Sequence, residues 1–399
     1  MKKAIQVAEG VFWTGVLDYD IEVFDIIMRT EYGTTYNSYV VKGTNKTALI
    51  EIAKESFYDE FMERLSCVCD PAKIDYIITN HTEPDHTGAL AKLLELNPHA
   101  EVYGSMSAMR FLKEITNRDI PTHVVKDGDS LDLGGKTLRF TMAPFLHWPD
   151  SMYTYCEEDK LLFTCDSFGC HYASEKIFND ELDDDFLDAY KYYFDHILGP
   201  FKSYVLSALD KIKDLDIRTV CTGHGPILRT DIRKYFDLYR TWATLEKPAV
   251  PRVAILYVSA YGYTAKLAAR IAEGITAAGA VPALYDLVTC DKEEALSAMD
   301  VAEGVLFGSP TFVGDALPPI WEALARLNAI IHKGKVAGVF GAYGWSGEAV
   351  PNIEMRLKQL KFNMPAEGLR VQFNPADADL DKAFAFGKTI GETLTAKKA

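Results

Sequence analysis

Between Asn80 and Gly88 the chain reads Asn-His-Thr-Glu-Pro-Asp-His-Thr-Gly, which puts His81, Glu83, Asp85 and His86 within six residues. Imidazole nitrogens and carboxylate oxygens are metal donors, and burying four such groups without a cation carries a severe desolvation cost. Two imidazoles and two carboxylates, with no thiolate, suit a harder redox metal such as iron or manganese better than a structural zinc. A loop of merely solvated acids is the alternative. The apolar run just before it (Ile74, Tyr76, Ile77, Ile78) speaks against that, because it reads as a buried strand. Loops at the ends of buried strands are where α/β proteins place their active sites.

Three further segments have the same form, an apolar strand ending in a polar donor. Phe140 to Leu146 leads into His147-Trp148-Pro149-Asp150-Ser151, Lys160 to Thr164 into Cys165-Asp166-Ser167, and Arg218 to Cys221 into Thr222-Gly223-His224. Any one of these histidines alone reads as a satisfied core residue. Together with Asp166 they point to one shared site, and their number points to two metals. His81, Glu83 and His147 would hold one, and Asp85, His86 and His224 the other. Asp166 would bridge, since each oxygen of a carboxylate can bind one cation.

His-x-Glu-x-Asp-His followed by His147, Asp166 and His224 resembles the metallo-β-lactamase superfamily. Its hydrolytic members carry His-x-His-x-Asp-His and bind zinc, whereas Glu83 in place of the second histidine resembles the flavodiiron proteins, or A-type flavoproteins. An extra anionic oxygen ligand stabilises ferric iron and moves preference away from zinc. From this half of the chain alone, a hydrolase with a variant ligand set stays open.

From Val253 the pattern becomes strand, glycine-bearing polar loop, helix. The run Val253 to Val258 is followed by Ser259-Ala260-Tyr261-Gly262-Tyr263-Thr264 and then by a helical stretch, Ala265 to Ala278. Hydroxyls and backbone N–H groups at a helix N-terminus cradle a phosphate. The loop has no lysine and lacks both the nucleoside-triphosphatase and the dinucleotide glycine spacing. A monophosphate held by neutral donors remains, as in the flavodoxins, whose phosphate loop this resembles. Two later strands open into similar loops. Gly304 to Gly308 leads into Ser309-Pro310-Thr311-Phe312-Val313-Gly314, and Val336 to Phe340 into Gly341-Ala342-Tyr343-Gly344-Trp345-Ser346-Gly347. Their aromatic rings and free amides are what a flavin needs for stacking and for hydrogen bonds to its polar edge. Ordinary surface packing is the alternative for Tyr343 or Trp345 alone; three such loops after strands of one α/β unit favour FMN.

The resemblance to flavodiiron proteins therefore covers nearly the whole chain. It implies an α/β architecture, an αββα metallo-β-lactamase-like sandwich followed by a flavodoxin-like doubly wound parallel sheet. It implies iron on His81, Glu83, Asp85, His86, His147, Asp166 and His224, with His171 and Tyr193 near the substrate side. The implied activity is reduction of O₂ to water, of NO to N₂O, or of both, at a non-haem diiron centre fed through FMN. It also implies a head-to-tail homodimer or a dimer of dimers. No paired C-x-x-C motifs mark a fused rubredoxin module, so a separate donor such as rubredoxin or a reduced deazaflavin is expected.

Length fits two domains: 399 residues exceed one typical core. Leu245 to Arg252, which contains Glu-Lys-Pro-Ala-Val-Pro-Arg, reads as a short stiff connector, giving domains at 1–247 and 252–399. Upstream, Ile5 to Val16, Ile21 to Thr30, Tyr36 to Val41 and Thr47 to Ile52 alternate in strand fashion. The acidic run Asp180 to Asp188 reads as a solvated loop or helix start. A formal net charge of −15 argues against nucleic acid as partner. Seven cysteines without a C-x-x-C pair form no disulfide framework, so a reducing compartment is expected. The N-terminus leads straight into strand pattern, so neither signal peptide nor membrane span is expected, and the location is read as cytoplasmic.

Overall fold

Strands Tyr39–Lys42, Thr47–Ile50 and Tyr76–Ile78 are apolar on both faces, so each must lie between two packed layers. The computed structural model, which describes residues 3–26, 28–244 and 248–396, shows those layers. The chain divides into two compact units, Met1–Leu245 and Glu246–Ala399. The Leu245 to Arg252 connector falls partly on residues 245–247, outside the described residues.

In the first unit a seven-stranded sheet faces a five-stranded one. The seven run, edge to edge, Ile5–Ala8, Val11–Trp13, Tyr39–Lys42, Thr47–Ile50, Tyr76–Ile78, Glu101–Gly104 and Thr122–Val124. The five run Ser130–Asp132, Thr137–Met142, Met152–Cys156, Leu161–Cys165 and Thr219–Thr222. The period-2 alternation of strands sorts the side chains. Tyr39, Val41, Ala48, Ile50 and Ile78 meet Phe140, Met152, Phe163 and Cys221 between the sheets. Val40, Leu49 and Ile77 turn the other way, onto helices such as Tyr58–Ser66 and Leu90–Leu96. This is the expected αββα sandwich.

Pairing then aims the site. Leu161–Cys165 and Thr219–Thr222 run parallel, so Asp166 and His224 emerge at the same end. Tyr76–Ile78 runs parallel to Thr47–Ile50 and delivers the His81–His86 loop just past its end.

The N-terminal segments are more broken than their alternation suggests. The stretch from Ile5 to Val16 holds two strands and the start of a third, Val16–Asp18, parted by a turn at Gly10 and by Gly15. Gly15 abuts backbone: a Cβ there would stand 2.5 Å from the Tyr36 carbonyl oxygen. Within Ile21 to Thr30 only Val23–Phe24 and Met28–Arg29 pair, as a small hairpin with Asp25 and Ile26 in left-handed backbone. Hydrophobic alternation does not register such turns. The acidic run is a loop that enters helix Leu187–Tyr193, with Asp180 and Glu181 paired to Arg229.

The second unit is one parallel sheet in the order Val281–Asp286, Arg252–Tyr257, Gly304–Gly308, Val336–Tyr343, Leu369–Gln372. Numbered along this unit, that order is 2-1-3-4-5, the flavodoxin-like winding. Alternate residues bury on opposite faces. Leu256, Val305, Phe307 and Val339 pack against helices such as Pro318–Ala325 and Ala349–Gln359. Ile255, Leu306 and Phe340 pack against Tyr263–Ala277 and Asp377–Ala396. Those two helices touch backbone to backbone at Gly387, where a Cβ would stand 2.0 Å from the Ile271 carbonyl oxygen. No helix among the described residues is long and apolar enough to cross a membrane.

Candidate metal centre and flavin cavity

The ligand loop owes its shape to Pro84, which stands at the first position of the one-turn helix Pro84–Thr87. His86 N–H donates to the Glu83 carbonyl at 2.9 Å, and the Thr87 hydroxyl donates to the carbonyls of Thr82 and Glu83 at 2.9 and 3.1 Å. The turn carries Asp85 and His86 inward while Glu83 stays at its mouth. Gly223 makes room from the opposite strand end, since a Cβ there would lie 2.8 Å from the Cys165 carbonyl carbon and 3.0 Å from His86 Cε1.

The donors gather in two groups. His81, Glu83, His147 and Asp166 form one, and Asp85, His86 and His224 the other, with the donor atoms of each group within 4.8 Å of one another. Asp166 faces both. Its Oδ2 lies 3.3 Å from His81 Nε2 and 3.5 Å from His147 Nε2, while its Oδ1 lies 3.1 Å from His86 Nε2 and 3.5 Å from His224 Nε2. Glu83 Oε2 is 2.9 Å from His147 Nε2 and 3.3 Å from His81 Nε2. Asp85 Oδ2 is 3.1 Å from His224 Nε2 and 3.4 Å from His86 Nε2. Five of the seven are buried; His147 and Glu83 keep the most side-chain exposure, 15 and 14 %, so the site opens on their side.

The partners outside each group are equally specific. His81 Nδ1 is 3.2 Å from Asp150 Oδ2, which also accepts from the Thr82 N–H and hydroxyl at 2.8 Å. His224 Nδ1 lies 2.5 Å from the Thr35 carbonyl oxygen. Both rings thus turn Nε2 toward the cluster. His171 is buried with Nδ1 2.8 Å from the Thr34 hydroxyl, and its ring lies 5.2 Å from His224 and 4.9 Å from Tyr193. Phe24, on the small hairpin, covers His171 at 4.3 Å.

Electrostatics shows what the cluster demands. Burial alone would raise Asp166, but His81 and His86 hold it well below the usual carboxylate range. Burial likewise opposes Glu83, yet hydrogen bonds from His147 and His81 lower it. His86, despite burial, is pushed up to about 9 by Asp85 and Asp166. The carboxylates call for positive charge, and protons on imidazole supply it only in part. Both oxygens of Asp85 and Oδ2 of Asp166 are buried without a hydrogen bond. Their imidazole neighbours sit within ion-pair range but are not aligned for one. Buried imidazole nitrogens and carboxylate oxygens converging in two groups, several of the oxygens without a hydrogen bond, are the geometry of metal ligation.

Asp150, Thr35, Glu51 and Asp25 are missing from the sequence expectations. Glu51 ends an apolar strand as the recognised donors do, and the same rule finds it. It is buried, with its carboxyl pushed up to about 7 by burial. Asp25, at the hairpin tip, is raised to about 6 by burial and by Glu83. Only the fold brings it there.

In the second unit the three glycine-bearing loops surround a cavity of about 390 Å³. Tyr261, Tyr263 and Thr264 line it from the first loop, Pro310, Thr311, Phe312 and Gly314 from the second, and Ala342, Tyr343, Gly344 and Trp345 from the third. Ser259, Gly262, Ser309 and Gly347 do not line it. They shape the loops instead. Ser259 Oγ accepts from the Ala265 N–H at 3.2 Å and Ser309 Oγ from the Leu317 N–H at 3.0 Å, while Gly262 and Gly347 are left-handed at φ 80° and 78°. Ala260, Val313, Ser346 and Phe373 complete the lining. Trp345 is 95 % exposed and Tyr261 78 %, so neither ring is consumed by packing within the unit.

A family model described as ODP family beta lactamase matches residues 34–225, and one described as flavodoxin matches 255–387. The flavo-diiron protein FprA2 of Clostridium acetobutylicum is 40 % identical over 98 % of this chain and 100 % of its own. The chain belongs to the flavodiiron proteins. A nitric oxide reductase of Moorella thermoacetica is 37 % identical over 99 % of this flavodiiron chain and 100 % of its own. The solved rubredoxin oxygen:oxidoreductase of Desulfovibrio gigas covers 99 % of this chain with all of its own, at 30 % identity and a TM-score of 0.69. The cofactors of the flavodiiron chain are FMN and a non-haem diiron centre. The residues present fit both. The orphaned oxygens of Asp85 and Asp166 suit a metal pair. The aromatic cavity at the strand ends has the volume and the free ring faces for a flavin.

Proposed function

We propose that this chain reduces O₂ to water, NO to N₂O, or both, at a diiron centre held by His81, Glu83, Asp85, His86, His147, Asp166 and His224. The observation that carries this is the placement of Asp166, one oxygen toward each group of donors. When bound, FMN and the iron pair supply electron transfer and open coordination positions, chemistry that belongs to the cofactors. The protein's own part is positioning. Asp166 would help hold both metals, since one of its oxygens faces each group of donors. Glu83 and Asp85 add one anionic oxygen each, which suits iron over zinc. His171 and Tyr193, whose rings pack beside His224, are assigned the positioning of protons, with Phe24 packed on His171.

FMN is held by the three loops of the second unit, with Tyr261, Tyr343 and Trp345 offering ring faces. Residues 1–247 and 252–399 are assigned as the diiron and FMN domains. Electrons come from a separate donor, rubredoxin or a reduced deazaflavin. The enzyme works in the cytoplasm as a head-to-tail homodimer, alone or as a dimer of dimers, which sets the flavin of one copy against the irons of the other.

Metal and flavin content of protein purified without air, followed by photoreduction and separate addition of O₂ and NO, tests the activity. Two irons and one FMN per chain are expected, with reduced flavin reoxidised over many turnovers by at least one gas. Zinc in place of iron after expression with ample iron, or no turnover with either gas, overturns it. Sedimentation of the holoenzyme tests the dimer.

A further inference from the structure

Two of the candidate histidine ligands have their outward nitrogen satisfied, His81 by Asp150 and His224 by the Thr35 carbonyl. His86 turns Nε2 to the cluster in the same way, 3.1 Å from Asp166 Oδ1, yet its buried Nδ1 has no hydrogen bond. Glu51 Oε2, also buried, has none either. Donor atoms of Glu51, His86 and Cys165 lie within 4.8 Å of one another. Two orphaned buried atoms of complementary chemistry, on residues whose donor atoms come within 4.8 Å, call for one explanation.

The backbone around Glu51 shows how it is fixed. It stands just past strand Thr47–Ile50 at φ 56°, a left-handed conformation that a non-glycine residue keeps only where its surroundings impose it. Glu51 N–H donates to the Ile78 carbonyl at 3.0 Å, and its carbonyl accepts from the Ser38 hydroxyl at 2.8 Å. Its Oε1 accepts from the Asn80 N–H at 2.8 Å, and the next residue, Ile52, donates its N–H to the His86 carbonyl at 2.9 Å. One carboxylate oxygen is therefore bound at the start of the ligand loop, and the other is buried without a hydrogen bond on a residue close to the loop's last ligand.

We propose that Glu51 is a positioning residue for the metal pair: Oε2 accepts the Nδ1–H of His86 and keeps its Nε2 lone pair on the metal, while Oε1 holds the loop's other end through Asn80. A metal-bound histidine commonly donates its second N–H to a carboxylate, and losing that partner costs about 10- to 100-fold in metal affinity. The role rests on His86 being a ligand, as assigned above.

The near-isosteric Glu51→Gln variant separates this role from mere packing. Gln keeps an oxygen for Asn80 but presents an N–H to His86, which favours the tautomer whose Nε2 carries the proton. Release of iron from the reduced holoenzyme to a ferrous chelator is the measurement. Wild type is expected to release both irons slowly, and Glu51→Gln to release one about 10- to 100-fold faster. FMN content and circular dichroism should stay unchanged. Release of both irons from Glu51→Gln at the wild-type rate, or equal acceleration of both, overturns the proposal. If Glu51→Gln does not fold, Glu51→Asp serves with the same expectation and the same overturning results, because it keeps the charge but shortens the reach. A wild-type protein that binds no iron pair would instead sink the ligand assignment itself.

Discussion

The two candidate cofactor sites lie at strand ends of α/β units, yet they are built by opposite means. In the first unit the donors are side-chain atoms sunk in the protein; Asp166 and His224 are each 1 % exposed. In the second, loops and ring faces border an open cavity, and Trp345 stands almost wholly in solvent. Buried donors must each be aimed, and so each recruits a further partner, as His81 recruits Asp150 and His224 recruits Thr35. A ring that stacks on a planar ligand needs no such shell. Substitution should therefore be severe and specific at the metal site, and graded at the flavin cavity.

Asp166→Asn tests that contrast most harshly. It removes one anionic oxygen from the position facing both groups of donors and leaves the buried imidazoles around it without compensation. Iron content should fall and gas-reducing turnover drop by roughly 100-fold or more, while FMN stays bound. Full activity with full iron would count against the bridge. In the second unit the severe site is not the cavity but the core. Gly387→Ala forces a methyl against the Ile271 carbonyl and should lower that unit's stability by roughly 1–3 kcal/mol, read from its denaturant midpoint with iron unaffected. At the cavity rim, Trp345→Ala should weaken FMN only roughly 3- to 10-fold by flavin titration, because one exposed stacking face is lost and nothing buried is orphaned. A loss as large as that of Asp166→Asn would erase the contrast.

The smallest expected effect is at a half-buried charge whose acidic neighbours do not offset its burial. Burial lowers the Lys335 ammonium to about 8, against the pull of Asp300 and Glu303, and it donates to the Met299 and Asp300 carbonyls. Its folded value lies below its ordinary 10.5, so between those two the unfolded chain binds more protons and stability rises with pH. Below about 8 the ammonium is charged in both states, and the burial penalty is present in full. Because the side chain is partly exposed, the gain should be about 1 kcal/mol or less. It should vanish in Lys335→Met, as measured by denaturant midpoints across that range. An equal rise in the variant would assign the effect to other groups.

Much of the metal site is legible in the chain because ligation depends on residue type. His81, Glu83, Asp85 and His86 share one loop, and His147, Asp166 and His224 each end an apolar strand, so pattern and chemistry coincide. Glu51 ends such a strand too, but a lone acid there carries no spacing signal. Asp25 and Phe24 sit on a hairpin whose alternation reads as one longer strand, so nothing local announces that its tip reaches Glu83. At the flavin loops, hydroxyl and glycine residues look alike whether they border the cavity or shape it. Ser259 and Ser309 turned out to receive backbone N–H groups, and Phe373, outside the three motifs, turned out to line the cavity.

By itself, then, the sequence determined the layers, the two-unit division and the chemical identity of the donors, because hydrophobic period and ligand type are local properties. Tertiary structure alone decided which oxygen of Asp166 faces which histidines, which group steadies the outward nitrogen of His81 and of His224, and which aromatic faces stay free. Those depend on parallel strands ending in register and on backbones meeting at Gly223 and Gly387, contacts between residues far apart in the chain.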